Sequence, residues 1–167
     1  MQFDPFDSAQ GQSRANEVRR GIDDLLKKGQ IVKENTTKEK IAEFLEFAEN
    51  ELSAAKFNLQ KFPLTAYKSA YDALMHAGNA LIRFYGYRPT EKFTHATITE
   101  CVDRILGAEC GDLARGFKRM RKKRHPLQYD ALFSESHKEV QDSVTRAEEL
   151  IKKIEEHTKI KPRQRLF

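Results

Sequence analysis

An all-α fold is expected, an antiparallel up-and-down bundle of four main helices with one extra helix at the N-terminus, and three features of the sequence predict it. Apolar residues recur at helical spacing along most of the chain. Glycine and proline are few, at 8 and 5 in 167 residues, and no run of Val, Ile and Thr alternates with polar residues as a strand would. Charged residues make up 33 % against 39 % apolar, a balance that suits thin helical packing with much exposed surface. Apolar stretches are only a few residues long, which argues against a membrane span. The length fits one domain, read as a flexible arm over 1–13, a helical domain over 14–160 and a basic tail over 161–167.

The first helix is predicted from Arg14 to Lys28, with Val18, Ile22, Leu25 and Leu26 on its apolar side and Gly29 as its stop. Thr36 and Glu39 have the spacing of a capping box that opens the next. Its stripe of Ile41, Leu45, Ala48, Leu52, Ala55 and Leu59 steps by fours and threes, as in a helix lying nearly parallel to a neighbour. Pro63 pushes the residue before it out of the helical region, and a third helix follows from Leu64 to Tyr85. Its Tyr67, Tyr71, Leu74, Leu81 and Phe84, flanked by small residues, mark it as the most buried, and Gly86 and a turn at 87–89 end it.

Thr94 reads as the N-cap of a fourth helix with Ile98, Cys101, Val102, Ile105 and Leu106, which stops at Gly107. The fifth runs from Asp112 with Leu113, Phe117 and Met120 inward, and Pro126 is expected to break it. Ser136 and Glu139 form a second capping box ahead of Val140, Val144, Ala147, Ile151 and Ile154.

Cys101 and Cys110 read as free thiols, lacking the spacing of a metal site. The N-terminus has neither a basic nor an apolar leader region, so a cytoplasmic location is expected. No Gly-rich phosphate loop, HExxH, GxSxG or paired-carboxylate motif is present. The chain is therefore expected to use no cofactor and no metal.

Charge is concentrated in one place. Lys118, Arg119, Arg121, Lys122, Lys123 and Arg124 are six formal positives in a chain of net charge +5, so the remainder is slightly acidic. Such a patch points to a polyanionic partner, RNA or a nucleotide. Lys118, Arg121, Lys122 and His125 share a face if the helix persists that far, whereas Arg119 and His125 stand ~120° apart unless Pro126 turns the backbone. An imidazole beside a guanidinium suits RNA cleavage: histidine moves the protons and arginine grips the phosphate. The same cluster also reads as a solvated helix end complementing the helix dipole.

The order of helices, the stretch from Ala70 to Gly86 (AYDALMHAGNALIRFYG), Thr94 with His95, and the Arg-rich segment ending in Tyr129 and Asp130 resemble the HEPN domain superfamily over residues 36–157. The resemblance implies a helical bundle, frequent homodimers and, in many members, a metal-independent ribonuclease site. That site pairs an arginine with a histidine, four to six residues lying between them, the two subunits' copies facing each other. Arg119 and His125, with five residues between them, match it as catalytic residues, and Lys118, Arg121, Lys122, Lys123 and Arg124 would bind nucleic acid. Met120 departs from the polar residue that often follows the arginine. Arg124 with Tyr129 and Asp130 aligns equally with a branch in which His125 replaces an asparagine. Small HEPN proteins also resemble toxins paired with nucleotidyltransferase antitoxins that modify a tyrosine, for which Tyr129 is the candidate, four residues after His125 where two is usual. Two functions remain open: a toxin-type endoribonuclease, or a non-catalytic module that binds RNA, a nucleotide or a nucleotidyltransferase through residues 118–125.

Overall fold

A computed structural model describes residues 9–129 and 135–163, with the backbone alone for Phe93 and for residues 124–129. Helix α1 (Ala9–Lys27) buries Ala15, Val18, Ile22 and Leu25 at steps of three and four. It begins inside the segment expected to be a flexible arm, so residues 9–13 are helical, while residues 1–8 lie outside the described part. Gly29, at φ +66°, turns the chain as the sequence predicts.

A short antiparallel pair, β1 (Ile31–Lys33) with β2 (Tyr87–Pro89), aligns Ile31 opposite Pro89. This corrects the reading of 87–89 as a turn. The pairing joins segments more than fifty residues apart, and three residues a side are too few for a strand period to register.

Helix α2 (Lys38–Asn58) is capped by Thr37 rather than Thr36: the Thr37 hydroxyl accepts a hydrogen bond from the Lys40 amide at 3.2 Å. Its buried side contains Ile41, Leu45, Ala48, Leu52 and Ala55, the stripe the sequence displays. Helix α3 (Pro63–Phe84) has Pro63 in its first turn, where a missing N–H costs nothing. Tyr67, Tyr71, Leu74, Leu81 and Phe84 are all buried on it.

Helix α4 (Thr94–Leu106) follows a 3₁₀ turn at 91–93. Thr94 is therefore not its N-cap; its hydroxyl donates backwards to the carbonyls of Thr90 and Glu91 at 3.0 and 3.2 Å. Helix α5 (Gly111–Tyr129) passes through Pro126, so the expected break is absent. The proline forfeits one backbone bond and crowds the carbonyl four residues earlier, a local penalty that the helix carries, and the helix is described for three residues beyond Pro126. In α6 (His137–Thr158) the Ser136–Glu139 capping box forms as predicted. The Glu139 amide donates to Ser136 Oγ at 3.2 Å, and the Ser136 amide donates to Glu139 Oε2 at 2.7 Å.

The protein is all-α apart from the strand pair. Helix α3 lies at the centre against α2, α4, α5 and α6, α2 also touches α6, and α1 packs on α4. Close approach of α3 to α4 depends on Gly78, where a Cβ would overlap Ile98 Cγ2 and lie 3.2 Å from Val102 Cγ2. Tyr71 of α3 and Phe117 of α5 meet at 5.8 Å between ring centroids. Each is almost fully buried, which stabilises the fold by roughly 1.5–3 kcal/mol per large side chain. This contact fixes the rotation of α5 and hence the direction of its cations. Cys101 and Cys110 are free and buried, and burial pushes the Cys101 thiol up to about 12. Among the described residues, no helix is long and apolar enough to cross a membrane.

Candidate nucleic-acid interface

Ala114, Phe117 and Met120 turn inward on α5, and the helical period then distributes the cations between them over three directions. Lys118 faces α4, where its Nζ lies 2.9 Å from Glu100 Oε2 and 2.6 Å from Asp103 Oδ2. Burial opposes the charge on Lys118, but the hydrogen bonds to Asp103 and Glu100 outweigh it and raise its pKa. Burial likewise opposes ionisation of Glu100, and the bonds from Lys118 and Arg104 prevail, holding its carboxyl below the usual range. Lys118 is thus an internal strut between α4 and α5, with little charge to offer a partner.

Arg121 lies by Thr97 and Thr99 at the edge of a cavity of about 210 Å³ between α4 and α5. Its Nε is shielded from solvent and has no hydrogen-bond partner among the described residues. Lys122 is exposed. Lys123 is paired with Glu135, Nζ to Oε1 at 2.5 Å. The side chains of Arg124, His125 and Tyr129 lie outside the described residues. Positions 119 and 125 can still be placed on the unbroken helix, about 120° apart around its axis.

Arg119 is exposed and opens into a groove of about 200 Å³ between α3, α5 and α6. Tyr67, Phe117 and Met120 form its apolar wall. Burial chiefly, and then the charge of Glu135, pushes the Tyr67 phenol up, with Arg119 working in the opposite direction. Across the groove stands Arg146 of α6, exposed like Arg119. A Cβ built on Gly116 would lie 3.8 Å from Arg119 Nη2, 3.8 Å from Arg146 Cδ and 4.0 Å from Arg146 Nη1. Among the described residues neither guanidinium has a carboxylate within 4.0 Å. Sequence reasoning missed Arg146, which in one dimension is one polar position among several on α6. Only the packing of α6 on α5 brings it to Arg119.

His76 and His95 are held by packing and hydrogen bonds. His76 packs on Phe44 and Phe47, at 6.5 and 5.5 Å between centroids, and burial lowers its pKa. His95 stacks on Tyr71 and shares a 2.8 Å hydrogen bond with its hydroxyl. No group of three His, Cys, Asp or Glu side chains with metal-binding geometry occurs among the described residues.

The cationic α5 thus packs on a bundle centred on α3. The HEPN domain model matches residues 41–157, and the chain belongs to that family. The match opens in α2 and closes in α6, leaving α1 and β1 outside it. No curated protein and no solved structure gave a match.

Proposed function

We propose that this HEPN domain binds single-stranded RNA along α5, with the phosphate backbone gripped at Arg119. The reading is carried by one observation: Arg119 opens into the α3–α5–α6 groove with no carboxylate partner among the described residues, whereas Lys118 and Lys123 are held by acids of the same chain. Lys122, exposed three residues further along the helix, extends the positive surface. A guanidinium with unspent donors suits phosphate oxygens, and contacts of that kind position a strand without reading its sequence. Titration of labelled oligouridylate over a series of salt concentrations tests the proposal. Log K should fall with log salt by ~0.7 per phosphate contacted, and Arg119→Gln should weaken binding about tenfold. Binding indifferent to salt overturns it.

A second reading, a metal-independent endoribonuclease of toxin type, is favoured by Arg119 and His125 lying on one helix at the family's spacing. In the arrangement that the family suggests, a homodimer would bring the two copies' α5 helices together so that the Arg119 and His125 of each copy face those of the other. Cleavage of single-stranded RNA should then persist in EDTA and fail on DNA, which lacks the 2′-hydroxyl. His125→Ala should cost on the order of 10²–10⁴ in rate. Equal cleavage by wild type and this variant sinks the ribonuclease. A nucleotidyltransferase partner would act on Tyr129, which intact-mass measurement after co-expression checks.

A further inference from the structure

We infer that Arg119 and Arg146 form a phosphate cradle over Gly116, in which two guanidiniums from neighbouring helices take the oxygens of one phosphoryl group. The inference rests on the RNA-binding reading for the source of that phosphate, and it adds a residue and a geometry to it.

The distances to the Gly116 position put Arg119 Nη2 and Arg146 Nη1 no more than ~8 Å apart. Two hydrogen bonds of about 2.9 Å and the width of one phosphoryl group span that gap. Two like charges brought together in this way repel each other, and the repulsion is strongest beside an apolar wall such as that of Tyr67, Phe117 and Met120. A bridging anion turns the repulsion into attraction. The carboxylates nearby do not fill that role: Glu135 is paired with Lys123, and Glu139 closes the cap of α6. Asp142 lies one turn before Arg146, at the spacing that favours a helical ion pair, yet it forms no ion pair with either guanidinium.

The dimensions limit the ligand. At about 200 Å³ the groove is smaller than the ~300–1,000 Å³ of sites that enclose a whole small molecule. It therefore takes the phosphoryl group and leaves the sugar and base outside. Gly116 lies beneath both arginines, a Cβ there standing at ordinary van der Waals distance from each.

The experiment uses the full chain and compares wild type, Arg119→Gln, Arg146→Gln, the double variant, and Lys152→Gln. Lys152 is exposed on another side of α6, so its replacement removes the same charge away from the groove. The probes are a fluorescein-labelled uridine octanucleotide and inorganic phosphate, and thermal melts verify that each variant is folded. Arg146→Gln should weaken the octanucleotide about tenfold, Lys152→Gln less than twofold, and the double variant by less than the product of the two single losses. Competition by millimolar phosphate that disappears in Arg146→Gln assigns the cradle to free phosphate as well as to a strand. No competition, with the strand still lost in Arg146→Gln, assigns it to the strand alone.

Wild-type affinity in Arg146→Gln, while Arg119→Gln still weakens binding, overturns the cradle and leaves RNA binding standing. Equal losses in Arg146→Gln and Lys152→Gln overturn it as well, since net charge then explains both. A chain that ignores the octanucleotide, but loses phosphate-induced thermal stabilisation with Arg146→Gln, keeps the cradle and ends the RNA reading. Tighter binding of polyglutamate than of phosphate, through the same two arginines, overturns the phosphate assignment in favour of a carboxylate ligand.

Discussion

Tyr85, at the end of α3, hydrogen-bonds Nε2 of His157 at 2.7 Å, while Arg14 of α1 approaches the opposite ring nitrogen, Nδ1, at 3.3 Å. A guanidinium can only donate, so Nδ1 accepts, and the single ring proton lies on Nε2, which donates to the tyrosine oxygen. The contact joins three helices through a neutral imidazole. Burial, and secondarily the Arg14 charge, lowers the His157 pKa from 6.5 to about 4.

Stability should therefore decline in acid through this residue. Its folded pKa lies below its unfolded value, so between these two values the unfolded chain binds more protons and acidification favours unfolding. The contribution is whole above pH 6.5 and is lost as pH falls toward 4. Melting temperatures of wild type and His157→Gln over pH 4–7 check this; the variant should have a lower plateau and a shallower acid decline, and parallel curves would refute the assignment.

Two glycines should respond oppositely to a side chain. Gly78→Val forces atoms into Ile98 and Val102 at the α3–α4 contact, and overpacking of this kind destabilises by about 1–3 kcal/mol. Gly21, inside α1, has nothing within 4 Å of a built Cβ, so Gly21→Ala should stabilise by up to about 1 kcal/mol through helix propensity. Urea unfolding measures both, and a shared sign would contradict the packing described for α3 and α4.

Lys118 and Lys122 should separate stability from binding. Lys118→Gln removes the strut to Glu100 and Asp103 and should cost about 1 kcal/mol, with the salt dependence of the proposed RNA binding unchanged. Lys122→Gln, on an exposed residue, should leave the melting temperature alone and flatten the salt slope by ~0.7, one phosphate contact on a single strand. Equal effects of the two on the slope would mean that the Lys118 pairs open when RNA binds.

Ser136→Ala removes the side chain that accepts the Glu139 amide and leaves orphan donors at the start of α6. A loss of about 1 kcal/mol is expected. The chevron-free measure is equilibrium denaturation, in which a change below a few tenths of a kcal/mol would show that water caps this end as well as serine does.

Much of this architecture was legible because it is local. The four-three stripes of α2 and α6 are patterns within one segment, and the Ser136–Glu139 box is a contact between residues three apart. Glycines at 29, 86 and 107 each adopt positive φ where the sequence places a stop. Local signals also misled by small margins. Thr36 and Thr37 are equally able to cap, and Thr94 resembles a cap until the 3₁₀ turn before it is known. The proline rule describes the penalty at one residue, and α5 carries that penalty through Pro126.

The sequence by itself determined the helical class, the central place of α3, the family and the concentration of cations on α5, since each depends on composition or on neighbours a few residues apart. Tertiary structure alone decided what each cation faces. Lys118 and Arg119 are adjacent in the chain, but successive helical residues point about 100° apart. One therefore meets Glu100 and Asp103 on α4, while the other meets Arg146 across Gly116. Charge is a property of the residue, whereas its availability depends on which helix packs beside it, and that contact joins residues too distant in the chain for any local pattern to record.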